Sequence, residues 1–437
     1  MNKNNTIIIY LLVYFLLLFQ AGFVFTEMYS RFTNIFLVAL TTLFIVATKK
    51  GVKGKCILFA TITLLLEFVT FIFKGFPEAN LFISSIVDVL TAVLMVVAID
   101  WNTFKKVFSN INVAICITSL AFFFLQSINI PLYQYFPVIT NSYGAGGHFA
   151  ILDFPRNDWV NYRVQGIYWE PGALQFFIVL SSIFDMFNDE LPYKARKRRF
   201  ILFLVTLAFT FSTTGIFCGL LLIILFLYKF SKNRAVSISV FGFLIFAILS
   251  YGMIAEGSYL YYSLFGKMED VNDSYINGGS GNSTADTRVF SLIFTLDEFI
   301  KSPIVGIGLE GHENMAKRGL GGGGATITPL LLFANFGILM GLIHAIGLVK
   351  AMKLRQKRII EATLVLLIPI LSTMSEQFAF NPILMSISMY GYLILPTQRC
   401  PPTTNVGKSI GKAQTDLLPS PAARPPELKA NSRRTKQ

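Results

Sequence analysis

The sequence reads GGSGNSTADTRVFSLIFTLDEFIKSPIVGIGLEGHENMAKRGLGGGGAT from Gly278 to Thr326, and this is its longest polar stretch. Inside it, residues 289–300 place apolar side chains at i, i+3/i+4 and i+7, the spacing of one helix face. Pro303 is expected to end this helix, because a proline pushes the preceding residue out of the α region. A short amphipathic helix between glycine-rich flanks is typical of a helix that lies on a membrane surface. The alternative interpretation of this stretch is a solvated loop that does not contact the membrane.

Outside this stretch the chain is a succession of apolar runs, most of them about 17 to 25 residues long. Of its 437 residues, 54% are hydrophobic and 14% are charged, whereas about 25% are charged in a soluble domain. The runs predict an all-α, polytopic integral membrane protein with about twelve transmembrane helices. The predicted spans are residues 6–25, 32–48, 56–73, 81–99, 111–128, 171–187, 200–211, 215–228, 235–255, 327–349, 359–373 and 382–395.

The composition changes after Pro396, where Pro, Ala and Arg replace Phe, Ile and Asn. We therefore expect a single transmembrane domain over residues 1–398 and a disordered cytoplasmic tail over residues 399–437. The part of this tail after about Gln414 is either native or vector-derived.

The basic residues form patches between the spans, among them Lys49–Lys55, Tyr193–Arg199 and Lys350–Arg358. The positive-inside rule places these patches, and with them both chain termini, in the cytoplasm. Two long loops, about residues 129–170 and 255–326, then lie on the opposite, periplasmic side. Because the net charge of +13 is concentrated in these patches, we expect no nucleic-acid partner.

The long loops carry four arginines that are candidates for binding a pyrophosphate, namely Arg156, Arg163, Arg288 and Arg318. A guanidinium offers a planar fork of donors that matches phosphate oxygens, so several of them can hold a pyrophosphate without a metal. The alternative is that they pair with lipid headgroups or with the loop aspartates Asp153, Asp158 and Asp286. The four cysteines show no CxxC or metal-ligand spacing, and we expect no metal and no cofactor.

Three residues are candidates for a general base that takes a proton from a hydroxyl group, namely His312, Glu376 and Glu170. His312 has the side chain that titrates closest to neutral pH, and Glu376 lies in a short turn between two spans. Glu170 precedes Pro171 at the start of a span, where a helix N-terminus stabilises a carboxylate for structural reasons alone. We therefore favour His312 or Glu376 over Glu170.

Three further ionisable residues, Glu67, Asp88 and His344, lie inside predicted spans. Such residues are functional candidates by default, but in the sequence they are isolated from one another and no relay among them is evident. The loop of residues 129–170 is rich in Tyr and Trp, which suit a membrane-interface belt or, as the alternative, stacking on sugar rings.

Five short motifs are distributed over this layout: RVQGIYWEPG (Arg163–Gly172), FSTTG (Phe211–Gly215), DTR (Asp286–Arg288), KSPIVGIG (Lys301–Gly308) and FGILMG (Phe336–Gly341). Their order, spacing and sidedness resemble the O-antigen polymerase/ligase superfamily over roughly residues 163–341. Two features depart from the family pattern. The serine turn has threonines, Thr213 and Thr214, where an arginine often stands, and residues 325–327 lack the His-Asn pair of the ligases. The second departure favours a polymerase.

The resemblance implies a GT-C-type glycosyltransferase that needs no metal and faces the periplasm from the bacterial inner membrane. It would polymerise undecaprenyl-pyrophosphate-linked oligosaccharides into O-antigen or a similar surface polysaccharide, with the arginines neutralising the leaving pyrophosphate. Its partners would be these lipid-linked glycans, membrane lipids and a chain-length regulator protein. The alternatives are an O-antigen ligase that transfers glycan to lipid A-core, and a transporter or flippase of lipid-linked sugars, which the lack of an internal repeat disfavours.

Overall fold

The structure is a computed structural model that describes residues 3–22, 24–25, 30–74, 79–130, 132–140, 146–155, 163–231, 239, 242, 284–308, 327–353, 356 and 358–393. Within these residues it contains twelve α-helices. They are α1 (Lys3–Ala21), α2 (Ser30–Thr48), α3 (Gly54–Phe73), α4 (Ala79–Ala98), α5 (Trp101–Ser127), α6 (Pro171–Met186), α7 (Tyr193–Phe209), α8 (Thr213–Phe230), α9 (Thr284–Lys301), α10 (Thr328–Ala351), α11 (Ile359–Ser372) and α12 (Pro382–Leu393).

The helices confirm the predicted all-α class, and a helix lies at most of the predicted span positions. Every predicted span overlaps one helix except residues 235–255, which lie almost wholly outside the described residues, as does the tail of residues 399–437. Five of the described helices, α1, α3, α5, α8 and α10, are long and apolar enough to cross a membrane. Length and apolar composition therefore make the chain an all-α membrane protein.

Short elements lie between the helices. The loop of residues 129–170 contains the 3-10 helix Leu132–Tyr135 and an antiparallel pair of strands, β1 (Val138–Thr140) and β2 (Gly146–His148). A second 3-10 helix, Thr373–Ser375, follows α11. Sequence analysis does not predict the strand pair, because three residues per strand are too few to give a periodic pattern.

Two helices form the centre of the bundle because they are buried around their whole circumference. All of α6 is buried, and so is α12 from Pro382 to Gly391. α6 packs against α5, α7, α8 and α11, whereas α12 packs against α3, α4 and α10. Aromatic rings help to fill the interior, and Tyr168 stacks on Phe177 of α6 with ring centroids 4.4 Å apart. A helix that is apolar on all sides is expected in such a central position.

The predicted surface helix corresponds to α9, which packs against α10. Its hydroxyl-bearing residues Ser291 and Thr295 are buried, whereas its exposed residues include the apolar Leu292, Ile293, Leu296 and Ile300. An outward apolar face suits contact with lipid, as the amphipathic pattern predicts.

α11 also turns apolar side chains outward, namely Ile359, Ile360, Leu367 and Ile370. Its opposite side packs against α6 and α8. The helix is only 14 residues long and contains Pro369 near its end.

α10 is interrupted at Gly337, which has a φ angle of 77° and a ψ angle of 177°. The loop that follows α9 fills the interruption. The amide of Ile338 donates to the carbonyl of Pro303 at 2.8 Å, and the amide of Ile307 donates to the carbonyl of Ala334 at 2.8 Å. Non-helical backbone at membrane depth needs such protein partners, because lipid offers none. The KSPIVGIG and FGILMG motifs therefore form one structural unit.

Gly337→Ala is expected to destabilise the protein by about 2 to 5 kcal/mol. The positive φ angle disfavours a side chain, and a Cβ atom there would overlap the carbonyl oxygen of Ile304. Thermal unfolding of the detergent-solubilised protein measures the effect. Gly219→Ala is the matched control, since its nearest neighbours lie at 3.8 Å and alanine favours a helix. Equal unfolding temperatures for the two variants would contradict the prediction.

Candidate functional site

The RVQGIYWEPG motif crosses one end of the helix bundle and leads into α6. The amide of Val164 donates to the carbonyl of Phe209 at the end of α7, at 3.0 Å. The amide of Trp169 donates to the carbonyl of Ala21 at the end of α1, at 3.1 Å. The motif therefore joins the ends of α1 and α7 to the start of α6. We call this end of the bundle the loop end.

Arg163 is fixed at the loop end by the turn between α7 and α8. Its Nε atom donates to the carbonyl of Thr210 at 3.0 Å, and its side chain is half-buried. Phe211, which follows Thr210, has a φ angle of 49°. Ser212 caps α8 by accepting a hydrogen bond from the amide of Gly215 at 3.4 Å. The carbonyl that orients the Arg163 guanidinium thus belongs to Thr210, the residue immediately before the FSTTG motif.

Asp153 lies in the same pocket as Arg163, a small pocket of about 20 Å³ whose polar lining is Ser119, Gln126, Asp153, Arg163 and Gln165. Its carboxylate is buried and accepts a hydrogen bond from the Ser119 hydroxyl at 2.8 Å. Burial raises the pKa of Asp153 to about 7, although the Ser119 hydrogen bond and the Phe154 amide act in the opposite direction. Sequence analysis treats Asp153 only as a partner for arginines, because no sequence pattern reveals the burial of a single loop residue.

The raised pKa of Asp153 predicts a pH-dependent stability. The folded protein keeps this proton up to about pH 7, whereas the unfolded chain releases it near the ordinary value of 3.8. The folded state therefore binds more protons across this window, and raising the pH through it lowers the free energy of unfolding. Relative to Asp153→Asn, which cannot ionise, the wild type should lose at most about 1.4 kcal/mol per pH unit.

Thermal unfolding of the wild type and of Asp153→Asn from about pH 4 to pH 8 measures this difference. Asp297→Asn, at an exposed position on α9, is the control and should keep the wild-type profile. Parallel profiles for the wild type and Asp153→Asn would contradict the assignment.

Glu376 lies at the loop end between the second 3-10 helix and α12, and its relative exposure is 1%. Its Oε2 atom accepts a hydrogen bond from the Trp169 indole at 3.1 Å, and its backbone carbonyl accepts one from the Thr328 hydroxyl. The carboxylate also sits against Gly172 in the first turn of α6, where a Cβ atom would overlap Oε1. Glycine therefore lets this carboxylate approach a helix N-terminus, which stabilises negative charge.

Glu170 occupies the N-cap position of α6 with Pro171 after it, as the sequence predicts. Its side chain is exposed and makes no capping hydrogen bond among the described residues. Two carboxylates thus lie near one helix start, with Glu170 open to solvent and Glu376 buried.

Gln175 is a further buried polar residue near this end that sequence analysis does not single out. Its Nε2 atom donates to the carbonyl of Ser372 at the end of α11, at 3.5 Å. A Cβ atom at Gly215 would lie 2.8 Å from its Oε1 atom, so Gln175 also reaches the start of α8. An amide inside an apolar helix is the sequence signal that could have identified it.

The side chains of the other predicted site residues are not among those that the structure describes. Arg288 is part of α9, but the structure does not describe its side chain. Arg156, His312 and Arg318 lie outside the described residues. The structure therefore brings Arg163, Glu170 and Glu376 to one end of the bundle and leaves the roles of all the predicted site residues as predictions.

A groove of about 560 Å³ lies between α1 and α5. Its lining is mostly apolar and includes Ile7, Leu11, Ile111, Ala114 and Leu152. Tyr14, which also lines it, donates its hydroxyl to the carbonyl of Ile151 at 2.5 Å. The loop that carries Asp153 therefore closes one end of this groove.

The fold and site define a membrane-embedded helical protein with an arginine and buried carboxyl groups gathered at one end. No protein-family model matches the chain, and no curated protein sequence matches it.

Proposed function

We propose that the chain is a glycosyltransferase that polymerises undecaprenyl-pyrophosphate-linked oligosaccharide repeat units at the periplasmic face of the bacterial inner membrane. The observation that carries this proposal is the meeting of RVQGIYWEPG, FSTTG and Glu376 at the loop end of an all-α membrane bundle. The first two are motifs of the resemblance to O-antigen polymerases, and together the three segments supply one guanidinium and two carboxyl groups.

The proposed reaction is a displacement at the anomeric carbon of the donor glycan. A hydroxyl group of the acceptor glycan forms the new C–O bond, and the bond from the anomeric carbon to the lipid pyrophosphate breaks. Arg163 neutralises the departing pyrophosphate, together with Arg288, Arg318 and Arg156. The proton of the acceptor hydroxyl passes to a general base, for which Glu376 is the described candidate and His312 the other favoured one.

The groove between α1 and α5 supports a lipid-linked substrate. Its volume of about 560 Å³ and its mostly apolar lining suit a segment of a polyprenyl chain. Leu152 lines the groove and Asp153, the next residue, lines the pocket that contains Arg163. A lipid tail in the groove would therefore have its pyrophosphate near the loop end.

Asp153 gives the proposed donor site a pH dependence. When this carboxyl group ionises near pH 7, it places a negative charge in the pocket of Arg163. That charge opposes the binding of a pyrophosphate, so we expect donor binding to weaken as the pH rises above about 7.

Deletion of the gene tests the proposal against its alternatives. A polymerase deletion should reduce the surface polysaccharide ladder on a gel to a single repeat unit attached to lipid A-core. A ligase deletion should instead leave long polymer on the lipid carrier and none on lipid A-core, and a flippase deletion should leave single units on the cytoplasmic leaflet. Either of the last two patterns would overturn the polymerase assignment.

A further inference from the structure

The interior of the membrane bundle contains two neighbouring carboxyl groups, Glu67 of α3 and Asp88 of α4. Glu67 has a relative exposure of 4%, and neither of its carboxyl oxygens has a hydrogen-bond partner among the described residues. On α4, the Ser85 hydroxyl lies close enough to interact with this carboxyl group as a hydrogen-bond donor, and Asp88 lies close enough to interact with it electrostatically. This corrects the interpretation of Glu67 and Asp88 as isolated, which sequence analysis reaches because the two residues are far apart along the chain.

A chain of amide groups ends on Asp88. The Nδ2 atom of Asn34 donates to Asp88 Oδ1 at 2.8 Å, and Gln20 Nε2 donates to Asn34 Oδ1. Asn381, between Glu376 and α12, donates to the backbone carbonyl of Gln20 at 2.7 Å. Asp88 thus receives an amide donor that favours its charged form, whereas Glu67 has only the Ser85 hydroxyl beside it.

The face of α3 that carries Glu67 offers a second unsatisfied group. Thr63 lies one helical turn before Glu67, is fully buried, and its hydroxyl oxygen has no partner among the described residues. On the same face, Phe59 contacts the ring of His344 of α10 with centroids 5.3 Å apart. Beyond Glu67, the Thr70 hydroxyl donates to the carbonyl of Val305 at 2.8 Å.

These contacts place Glu67 opposite the part of α10 that lies between His344 and the interruption at Gly337. The ionisable side chains on the described elements that pack against this face are then Asp88 of α4 and His344 of α10, since α12 carries no charged residue. Within the described residues, no lysine or arginine forms an ion pair with Glu67 or Asp88.

We propose that Glu67 is a proton-binding site in the interior of the membrane, with Asp88 as its neighbouring acid. An ionised carboxylate with no cation and only a neighbouring hydroxyl group is costly to bury in an apolar interior, and a second carboxyl group beside it adds repulsion. Glu67 therefore retains a proton, and the Asn34 amide offsets part of the cost of burying Asp88. Protonated Glu67 in turn has an O–H group that can donate to Ser85 or to Asp88.

Labelling with dicyclohexylcarbodiimide tests this site in the full-length purified protein. This apolar reagent adds to a protonated carboxyl group within a membrane and forms an N-acylurea, in which all atoms of both reactants are kept. Mass spectrometry of the intact protein and of its peptides should find the adduct on Glu67 near neutral pH. Glu67→Gln should lose this adduct, whereas Glu190→Gln, which alters an exposed carboxylate, should keep it.

Three results would overturn the proposal. The first is the absence of an adduct on Glu67, and the second is an equal adduct in Glu67→Gln. The third is protection of Glu67 when sodium chloride replaces choline chloride, which would indicate a bound cation instead.

A second measurement, the thermal stability of Glu67→Gln, does not depend on labelling of the variant. Because glutamine resembles a neutral glutamic acid in size and polarity, Glu67→Gln should unfold within about 2 °C of the wild type.

The wild type alone also tests the proposal if Glu67→Gln fails to fold. Labelling of Glu67 should fall as the pH rises from about 6 to 9, because the proton is lost. Labelling that increases over this range would contradict a proton-binding Glu67. The alternative of a structural carboxylate would predict no labelling at any of these pH values.

Discussion

Arg163→Lys is expected to reduce polymer formation by about 10²- to 10³-fold, so that the polysaccharide ladder on a gel collapses to its shortest members. The Nε atom of Arg163 donates to the carbonyl of Thr210, which orients the plane of the guanidinium at the loop end. A lysine ammonium has three N–H donors but no planar fork, so it cannot present two parallel donors to the pyrophosphate oxygens as a guanidinium does. Arg288→Lys should have a similarly strong effect, on the basis of the motif resemblance.

Arg198→Lys is the matched control for Arg163→Lys. Arg198 is an exposed arginine in the first half of α7, far along that helix from Thr210. The Arg198→Lys variant should still produce a full polysaccharide ladder, because no part of the proposed site depends on Arg198. A wild-type ladder from both Arg163→Lys and Arg288→Lys would remove the arginines from the proposed reaction.

Glu376→Gln is expected to reduce the rate of polymerisation by about 10²- to 10⁴-fold, which is the usual contribution of a general base. The glutamine can still accept a hydrogen bond from the Trp169 indole, so the substitution removes the proposed base while keeping the local packing. We expect a clear separation from His312→Ala, with one variant abolishing polymer and the other only weakening it. If both variants keep full-length polymer while Glu170→Gln loses it, the exposed N-cap residue of α6 is the base.

A structural role of Glu376 is distinguished from a catalytic role by Gly172→Ala. A Cβ atom at this position would displace the Glu376 carboxylate from the start of α6 without removing it. Both Gly172→Ala and Glu376→Gln should therefore impair polymerisation, whereas only Gly172→Ala should also lower the unfolding temperature. If Glu376→Gln lowers both the unfolding temperature and the activity as much as Gly172→Ala does, the role of Glu376 is in stability alone. Gly54→Ala is a suitable control, since no atom lies within 4 Å of its added Cβ.

The positions of the helices could be predicted because the membrane makes one physical property dominant. Runs such as residues 56–73 and 111–128 must be helical if they enter lipid, since a helix satisfies its own backbone hydrogen bonds. The start of α6 at Pro171 and the helical pattern of residues 289–300, which lie within α9, could be predicted for local reasons, namely proline at the first turn and a 3.6-residue apolar period.

The contacts of the candidate site could not be predicted, because they join residues that are distant in sequence. Glu376 meets Trp169 across 207 positions, and Ser119 meets Asp153 across 34. The interruption of α10 at Gly337 could not be predicted either, since the apolar sequence of α10 suits an unbroken helix as well as a broken one. Only the three-dimensional packing of the KSPIVGIG loop reveals why a glycine is required there.

The short length of α11 has a consequence for the surrounding lipids. Its 14 residues extend about 21 Å, which is about 9 Å less than the hydrocarbon thickness of a typical bilayer. Apart from Thr363, the exposed residues of α11 are apolar, so if α11 spans the bilayer as the sequence predicts, lipid tails beside it have to shorten to avoid hydrophobic mismatch. This flank should therefore thin the bilayer locally, and the protein should be sorted toward, and be more stable in, membranes with short acyl chains.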